Sequence, residues 1–151
     1  MEKTIVCPIS QERVNESVVR VIASFVFLLS MLLLLTGAKW IGLLLILDFY
    51  IRSFTDGNFS ILKYLSLKIV STLNITPKPI DAAPKKFAAL VGLIFSVTIT
   101  VTMLLQWNTI AWIFGVVLII CALLEAFIGY CVGCKFYTWI VLPIKKIVSK
   151  Q

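Results

Sequence analysis

Two cysteines at the end of the last long apolar stretch, Cys131 and Cys134, are the residues best suited to chemistry. On one helical turn their Cα atoms would lie roughly 5 Å apart, a separation that a disulfide tolerates. The same spacing suits a dithiol with one activated thiolate, and the neighbouring Lys135 favours the thiolate over the thiol. The alternative is a pair of ordinary cysteines at a membrane surface. The pattern therefore indicates reversible thiol chemistry without identifying a substrate.

A third cysteine, Cys7, could join this pair. The segment from Cys7 to Val18 can span up to about 36 Å if extended, and the charge pattern described below places all three thiols on one membrane face. Three thiolates with a carboxylate or a water could hold Zn²⁺ or an iron–sulfur cluster, although structural sites usually take four ligands. Histidine is absent from the sequence. We therefore assign no metal site, and we interpret Cys121 as a packing residue.

Three charged residues within apolar stretches form a second candidate site: Asp48, Arg52 and Glu125. Asp48 and Arg52 are one helical turn apart, and Arg52 and Glu125 are expected at overlapping depths. Because an isolated charge in hydrocarbon is costly, the three are predicted to form one buried network. The alternative is a proton or substrate relay. On a continuous helix both thiols would point away from Glu125, so thiols and carboxylate would converge only if Gly129 bends the chain.

The elements that must position these side chains are membrane helices. The chain of 151 residues is 60 % hydrophobic and 14 % charged, with a mean hydropathy of +1.04, far outside the range of a soluble domain. Apolar stretches predict four transmembrane helices, over residues 18–36, 40–54, 87–106 and 110–131.

Two amphipathic segments complete the predicted fold. Residues 59–74 predict a helix lying in the membrane interface, with a fifth span as the alternative. Residues 136–142 are too short to cross the membrane, and they predict a short interfacial C-terminal helix closed by Pro143. Prolines in the segment 76–84 predict a linker without a helix, leading to a helix that starts at Pro84. The predicted fold is therefore a single all-α membrane domain over residues 1–151.

The basic residues predict the orientation of this domain. Of fourteen Lys and Arg residues, thirteen lie on the membrane side of the amino terminus, and only Lys39 lies on the other. The positive-inside rule then places both termini and the three candidate thiols in the cytoplasm. The net charge of +7 is explained by this rule and by anionic lipid headgroups, so nucleic-acid binding is not expected.

Five motifs in order resemble the bacterial membrane family catalogued as domain of unknown function 4395. The motifs are Cys7-Pro8 with Arg13-Val-Asn-Glu16 and Val19-Arg20, Leu47-Asp-Phe49 with Arg52, Pro77-Lys-Pro-Ile-Asp81 with Pro84-Lys85, Leu124-Glu-Ala126, and Tyr130-Cys-Val-Gly-Cys134. The resemblance implies a multi-pass protein of the bacterial cytoplasmic membrane and carries no assigned activity. An association of such proteins with thioredoxin-like or sulfur-transfer partners favours a thiol role.

Three functions of different class fit these observations. The leading hypothesis is a thiol- or sulfur-handling redox membrane protein, whose dithiol exchanges with a soluble thioredoxin-like or sulfurtransferase protein and with a quinone among the helices. The second is a small transporter or channel that uses Asp48, Arg52 and Glu125. The third is a non-catalytic membrane subunit that docks a soluble thiol protein. The sequence leaves open whether the protein is an enzyme.

Overall fold

The computed structural model describes residues 13–55 and 59–148, which are mostly helical. Cys7 lies outside the described residues. The helices are α1 (Glu16–Thr36), α2 (Lys39–Phe54), α3 (Ile61–Thr72), α4 (Ala82–Leu104), α5 (Asn108–Ile128), α6 (Val132–Phe136) and α7 (Leu142–Val148), with a π-helical turn (Tyr137–Val141) between α6 and α7. Two short strands, β1 (Arg13–Asn15) and β2 (Pro79–Asp81), complete the described structure.

Three of the helices, α1, α4 and α5, are long and apolar enough to cross a membrane. They contain 21, 23 and 21 residues, with mean hydropathies of 2.6, 2.3 and 2.6. At about 1.5 Å of rise per residue, each matches or exceeds the thickness of the hydrocarbon core. The fourth predicted span corresponds to α2, which has 16 residues. The fold is thus mostly helical with three helices of spanning length, as expected for a membrane protein.

The four longest helices contact one another in a ring. Helix α4 packs against α2 and α5, and α1 packs against α5 and α2. The core between them includes Leu33, Leu45 and Ile99, which are at most 1 % exposed. The outer surface is also apolar: Leu35 and Phe127 are 69 % and 75 % exposed. An apolar face of this extent is stable against lipid and would be a liability in water.

Helix α3 packs on α1 through one narrow face. Its buried residues are Leu62, Ser66 and Val70, spaced one helical turn apart. The apolar pattern of residues 59–74 predicts one face that holds Ile61, Leu62 and Leu65 together, but Ile61 and Leu65 are exposed. Contact with α1 therefore uses a different stripe of α3 from the one that the apolar pattern suggested.

A two-stranded antiparallel ribbon, absent from the sequence-based prediction, joins the start of the described chain to the proline-rich linker. Val14 of β1 lies opposite Ile80 of β2, and the Glu16 N–H donates to the Lys78 carbonyl at 2.9 Å. The linker is followed by α4, which starts at Ala82 rather than at Pro84 or residue 87. Pro84 is tolerated in this first turn because its missing N–H would have had no partner there.

The carboxyl-terminal helical segment is longer than the predicted interfacial helix and is not closed by Pro143. It continues through the π-helical turn into α7, with Pro143 in the first turn of α7. Proline removes a donor and crowds the carbonyl four residues earlier, so a widened turn directly before it relieves both problems. Trp139 and Ile147 of this segment are 84 % and 70 % exposed.

Candidate thiol and ion-pair site

The chain bends sharply between Glu125 and the two thiols. Helix α5 ends at Ile128, and Gly129 adopts the left-handed conformation (φ 71°) with its N–H donating to the Glu125 carbonyl at 3.1 Å. The predicted continuation of this span to residue 131 is therefore wrong. Since glycine has no Cβ, it adopts positive φ readily. Gly129 thus provides the bend that the sequence analysis required for the Glu125 carboxylate and the two thiols to come together.

Two side chains of α1 approach Gly129 closely. A Cβ atom there would lie 3.0 Å from Glu16 Oε1 and 3.3 Å from Arg20 Nε, side chains that form an ion pair at 3.9 Å. Arg20 Nη2 also donates to the Phe127 carbonyl at 3.1 Å. This places a cation at the carboxyl end of α5, where the helix dipole favours positive charge. Helix α1 thereby holds the end of α5 in position.

The two thiols lie on a new, short helix rather than at the end of the long one. Cys131 is the residue before α6, and its Sγ accepts the Cys134 backbone N–H at 3.3 Å. Both cysteines are free; Cys131 is buried and Cys134 is half-buried. The Cys134 thiol is thus the more accessible of the two to a soluble reagent.

This turn packs directly on the first part of α4. A Cβ atom at Gly133 would lie 2.8 Å from Ala88 Cβ, so the residue between the thiols must be small for α6 to approach this closely. The Phe87 and Tyr137 rings add a contact between the same segments, with centroids 5.5 Å apart. The close approach brings both thiols within the electrostatic influence of Lys85, one turn before Ala88.

The two thiols, which follow the end of α5, have pKa values that are shifted in opposite directions. A hydrogen bond with the Cys131 thiol lowers the pKa of Cys134, and the positive charge of Lys85 acts in the same direction. The same hydrogen bond and burial raise the pKa of Cys131. We therefore expect the thiolate of the reduced pair on Cys134, with Cys131 donating the hydrogen bond to it.

The base that favours this thiolate is Lys85, for which the sequence pattern predicted no role at the thiols. Lys135, named there for this role, instead lies over the Tyr130 ring at 5.8 Å. Lys85 forms an ion pair with Glu125, with 2.6 Å between Nζ and Oε1, and the two side chains are 16 % and 19 % exposed. The signal that could have identified Lys85 was its position just after Pro84, a residue typical of a first helical turn.

The predicted three-residue charge network is divided into two pairs. Arg52 Nη1 lies 3.5 Å from Asp48 Oδ2, and the Ser60 hydroxyl donates to the other Asp48 oxygen. Glu125 pairs with Lys85 and not with Arg52, which corrects the predicted bridge between the second and fourth spans. The reason is the early start of α4, which places a lysine closer to Glu125 than Arg52 comes.

Two cavities meet at the thiol pair. The first, of about 460 Å³, extends between the helices and is lined mainly by apolar side chains, with Arg52, Lys85, Glu125, Cys121 and Cys131 among its lining. The second is a polar cleft of about 740 Å³, whose lining comprises Glu16, Pro79, Ile80, Pro84, Lys85, Gly129, Tyr130, Cys131, Cys134, Lys135 and Thr138. Cys131 and Lys85 line both cavities, whereas Cys134 lines only the cleft.

The residues that the structure describes offer no metal centre. Within 13–55 and 59–148 no group of three or more Cys, Asp or Glu side chains is arranged to hold an ion. The three-thiol set considered from the sequence requires Cys7, which lies outside these ranges. The arrangement around Cys131 and Cys134 instead suits chemistry of the thiols themselves: a thiolate, a neighbouring thiol and a nearby cation.

Comparison with known proteins identifies the family. Residues 14–141 match the family model described as a domain of unknown function (DUF4395). The match covers most of the chain, and the protein therefore belongs to this family. No curated protein and no solved structure matches the chain significantly.

Proposed function

Since the family to which the chain belongs is described without an activity, we propose a function from the site: the protein is a membrane dithiol protein whose Cys131–Cys134 pair exchanges disulfides with a soluble partner. One observation carries the proposal. The break at Gly129 places the pair at the wall of an open polar cleft, beside the Lys85–Glu125 ion pair, with Cys134 in the cleft and Cys131 behind it. A soluble thioredoxin-like or sulfurtransferase protein is the partner chemistry that fits.

The exchange follows from the unequal thiols. In the reduced pair Cys134 is the nucleophile: its thiolate attacks a partner disulfide, forms a mixed disulfide and releases one partner thiolate. Once Cys134 is bonded to the partner, it no longer competes for the Cys131 proton, while Lys85 and the Cys134 N–H favour a thiolate on Cys131. Cys131 then attacks Cys134 Sγ, closes the internal disulfide and releases the second partner thiolate. The reverse sequence reduces the pair.

The topology that we propose has four spans, with α2 as the second, and both termini in the cytoplasm of a bacterial inner membrane. The ring of contacts formed by α1, α2, α4 and α5 supports α2 as a span, because it packs as fully as the helices of spanning length. Helix α3 and the segment 132–148 would lie in the cytoplasmic interface, and the basic residues support this orientation. The polar cleft would then open to the cytoplasm.

Cysteine labelling tests this topology. In a variant whose own four cysteines are replaced by serine, a cysteine at Ala38 or Trp107 should react with an impermeant maleimide from outside intact cells. A cysteine at Thr76 should react only after the cells are opened. External labelling at Thr76 would contradict the proposed orientation, and external labelling at Thr55 would remove α2 from the spans.

The reactivity of Cys134 tests the proposed function. Because the pKa of Cys134 is lowered, its thiolate persists to lower pH than that of an ordinary cysteine, and alkylation of Cys134 by iodoacetamide at pH 7 should be faster than alkylation of Cys121. Peptide mass spectrometry gives the rate at each cysteine. Cys131→Ala removes the hydrogen-bond donor and should shift the pH profile of Cys134 upward, whereas Cys121→Ala should leave it unchanged. Equal rates at Cys134 and Cys121 would contradict the proposal.

The transporter alternative receives less support from the same residues. Asp48 is engaged by Arg52 and Ser60, and Glu125 by Lys85. Three threonine hydroxyls of α4 that could have added to such a pathway bond to the backbone of their own helix: Thr98 and Thr100 donate at 2.8 Å to the carbonyls of Ile94 and Ser96, and Thr102 donates at 2.7 Å to the carbonyl of Thr98. These groups are therefore committed to structure. The third hypothesis, a non-catalytic subunit that docks a soluble thiol protein, requires the same contact with a soluble partner. It differs from the proposed function only in that the thiols would not react.

A further inference from the structure

The apolar cavity has no part in the exchange proposed above, which takes place in the polar cleft. Its volume of about 460 Å³ falls in the range typical of small-molecule sites, about 300–1,000 Å³, and such sites combine apolar walls with a few placed polar groups. Cys131 is the link between the two spaces, since it lines both. A molecule held in this cavity would therefore reach the thiol pair from the membrane side.

The polar groups of the cavity gather at one end. Lys85 lies in the first turn of α4 and Glu125 in the last turn of α5, and their ion pair fixes these helix ends side by side. Arg52 belongs to the same level, because α2 runs antiparallel to α4 with Phe49 against Gly92. From Lys85 the lining continues along α4 to Phe95, roughly 15 Å further along the helix axis, past apolar side chains.

The charges at the polar end cancel. Arg52 is paired with Asp48, and Lys85 with Glu125, so the cavity presents no excess positive charge to a phosphate or carboxylate headgroup. Lysine and arginine N–H groups remain as hydrogen-bond donors. The cavity thus fits a neutral, acceptor-bearing ring followed by an apolar tail better than it fits a phospholipid.

We propose that this cavity binds an isoprenoid quinone and that the Cys131–Cys134 dithiol reduces it. This inference rests on the proposed thiol exchange and adds the membrane substrate. The quinone ring would lie at the polar end, with a carbonyl oxygen near Lys85 and a ring edge towards Cys131, and the tail would follow α4 towards Phe95.

The quinone is the only oxidant that this reaction needs. The Cys131 thiol passes its hydrogen-bonded proton to the Cys134 thiolate as its sulfur bonds to a ring carbon. Cys134 then loses this proton and attacks Cys131 Sγ, the S–S bond forms, and the C–S bond breaks with its electron pair left on the ring. The two thiols lose two electrons and two protons in total, and the quinone gains both pairs to become a quinol. Lys85 donates a hydrogen bond to the ring oxygen as charge develops there, and Glu125 keeps the lysine charged. A soluble protein dithiol then restores the thiols through the polar cleft.

A single-turnover experiment tests this inference. Reduced protein in lipid nanodiscs is mixed with a benzoquinone that carries a ten-carbon tail, and the loss of quinone absorbance is followed together with the loss of free thiols. The expected result is one quinol formed for each dithiol lost. Ala122→Phe, which fills the cavity from α5, should slow the reaction by more than about tenfold. Ala89→Leu, which fills it from α4, serves as a second variant if Ala122→Phe does not fold.

The matched control is Ala126→Phe, one turn further along α5 and outside the cavity lining. It should react with the quinone at the wild-type rate, and all three variants should exchange disulfides with oxidised thioredoxin as the wild type does. Equal quinone rates in Ala122→Phe, Ala89→Leu and wild type would overturn the cavity site. A disulfide that forms with thioredoxin but never with the quinone would refute this inference alone, whereas failure with both oxidants would refute the proposed function as well.

Discussion

Replacing Glu125 by leucine should destabilise the detergent-solubilised protein by about 3–5 kcal/mol, the cost of breaking a buried ion pair by removing one partner. The Lys85 ammonium would remain largely buried without the carboxylate that lies 2.6 Å from it. Lys85→Met should have a comparable effect for the converse reason. The double variant, Lys85→Met with Glu125→Leu, leaves no unpaired charge and should recover most of this loss. Unfolding by a denaturing detergent, followed by circular dichroism, measures each difference.

The same cycle with Arg52 is the matched control. Arg52 pairs with Asp48 and not with Glu125, so Arg52→Met and Glu125→Leu should add without a large coupling term. The network predicted from the sequence alone would give the opposite pattern, with strong coupling to Arg52 and none to Lys85. If the stability lost in Lys85→Met and in Glu125→Leu simply adds up in the double variant, the ion pair between these residues does not stabilise the fold.

The helices of this protein could be predicted from its sequence because their signals are local. The first span was expected to end at residue 36 and the second at residue 54, and α1 and α2 end there. Apolar stretches bounded by glycine, lysine or tryptophan are sufficient for such predictions. The hydrogen bonds from the α4 hydroxyls to the backbone of their own helix are also local, since each bond connects residues one turn apart.

What could not be predicted depends on contacts between distant segments. Lys85 and Glu125 are 40 residues apart, and nothing in either neighbourhood specifies the other. The ribbon of β1 and β2 likewise joins segments that look like an arm and a linker when read separately. The bend at Gly129 is an intermediate case. The glycine that permits it is visible in the sequence, but the contact of Arg20 with the Phe127 carbonyl at the end of α5 is a long-range one.

The bend has the largest consequence for function. With α5 continuous, the two thiols and Glu125 would point to different sides, as the helical period requires. With α5 ended at Ile128, the thiol turn folds back on α4 and comes beside the Lys85–Glu125 pair. Gly129, which ends α5, therefore also brings the parts of the candidate site together.

Cys131 and Cys134 should form a reversible disulfide, and the state of the thiols in the native membrane shows whether they do. Membranes are treated with a mild oxidant, free thiols are blocked by alkylation, and the peptides are mapped by mass spectrometry. Cys121 is the internal control, because it lies within α5, away from this turn. Replacing either member of the pair by serine should abolish the linkage completely, since no other described cysteine can take its place.

We expect Cys131 and Cys134 to be recovered linked to each other, dithiothreitol to reverse the linkage, and Cys121 to stay free throughout. A linkage of Cys7 to either thiol would show that the amino-terminal arm reaches the site, and it would still be thiol exchange at this cleft. If Cys131, Cys134 and Cys121 are all alkylated independently after oxidation, at the rates of ordinary free cysteines, the pair has only a packing role and the proposed disulfide exchange is contradicted.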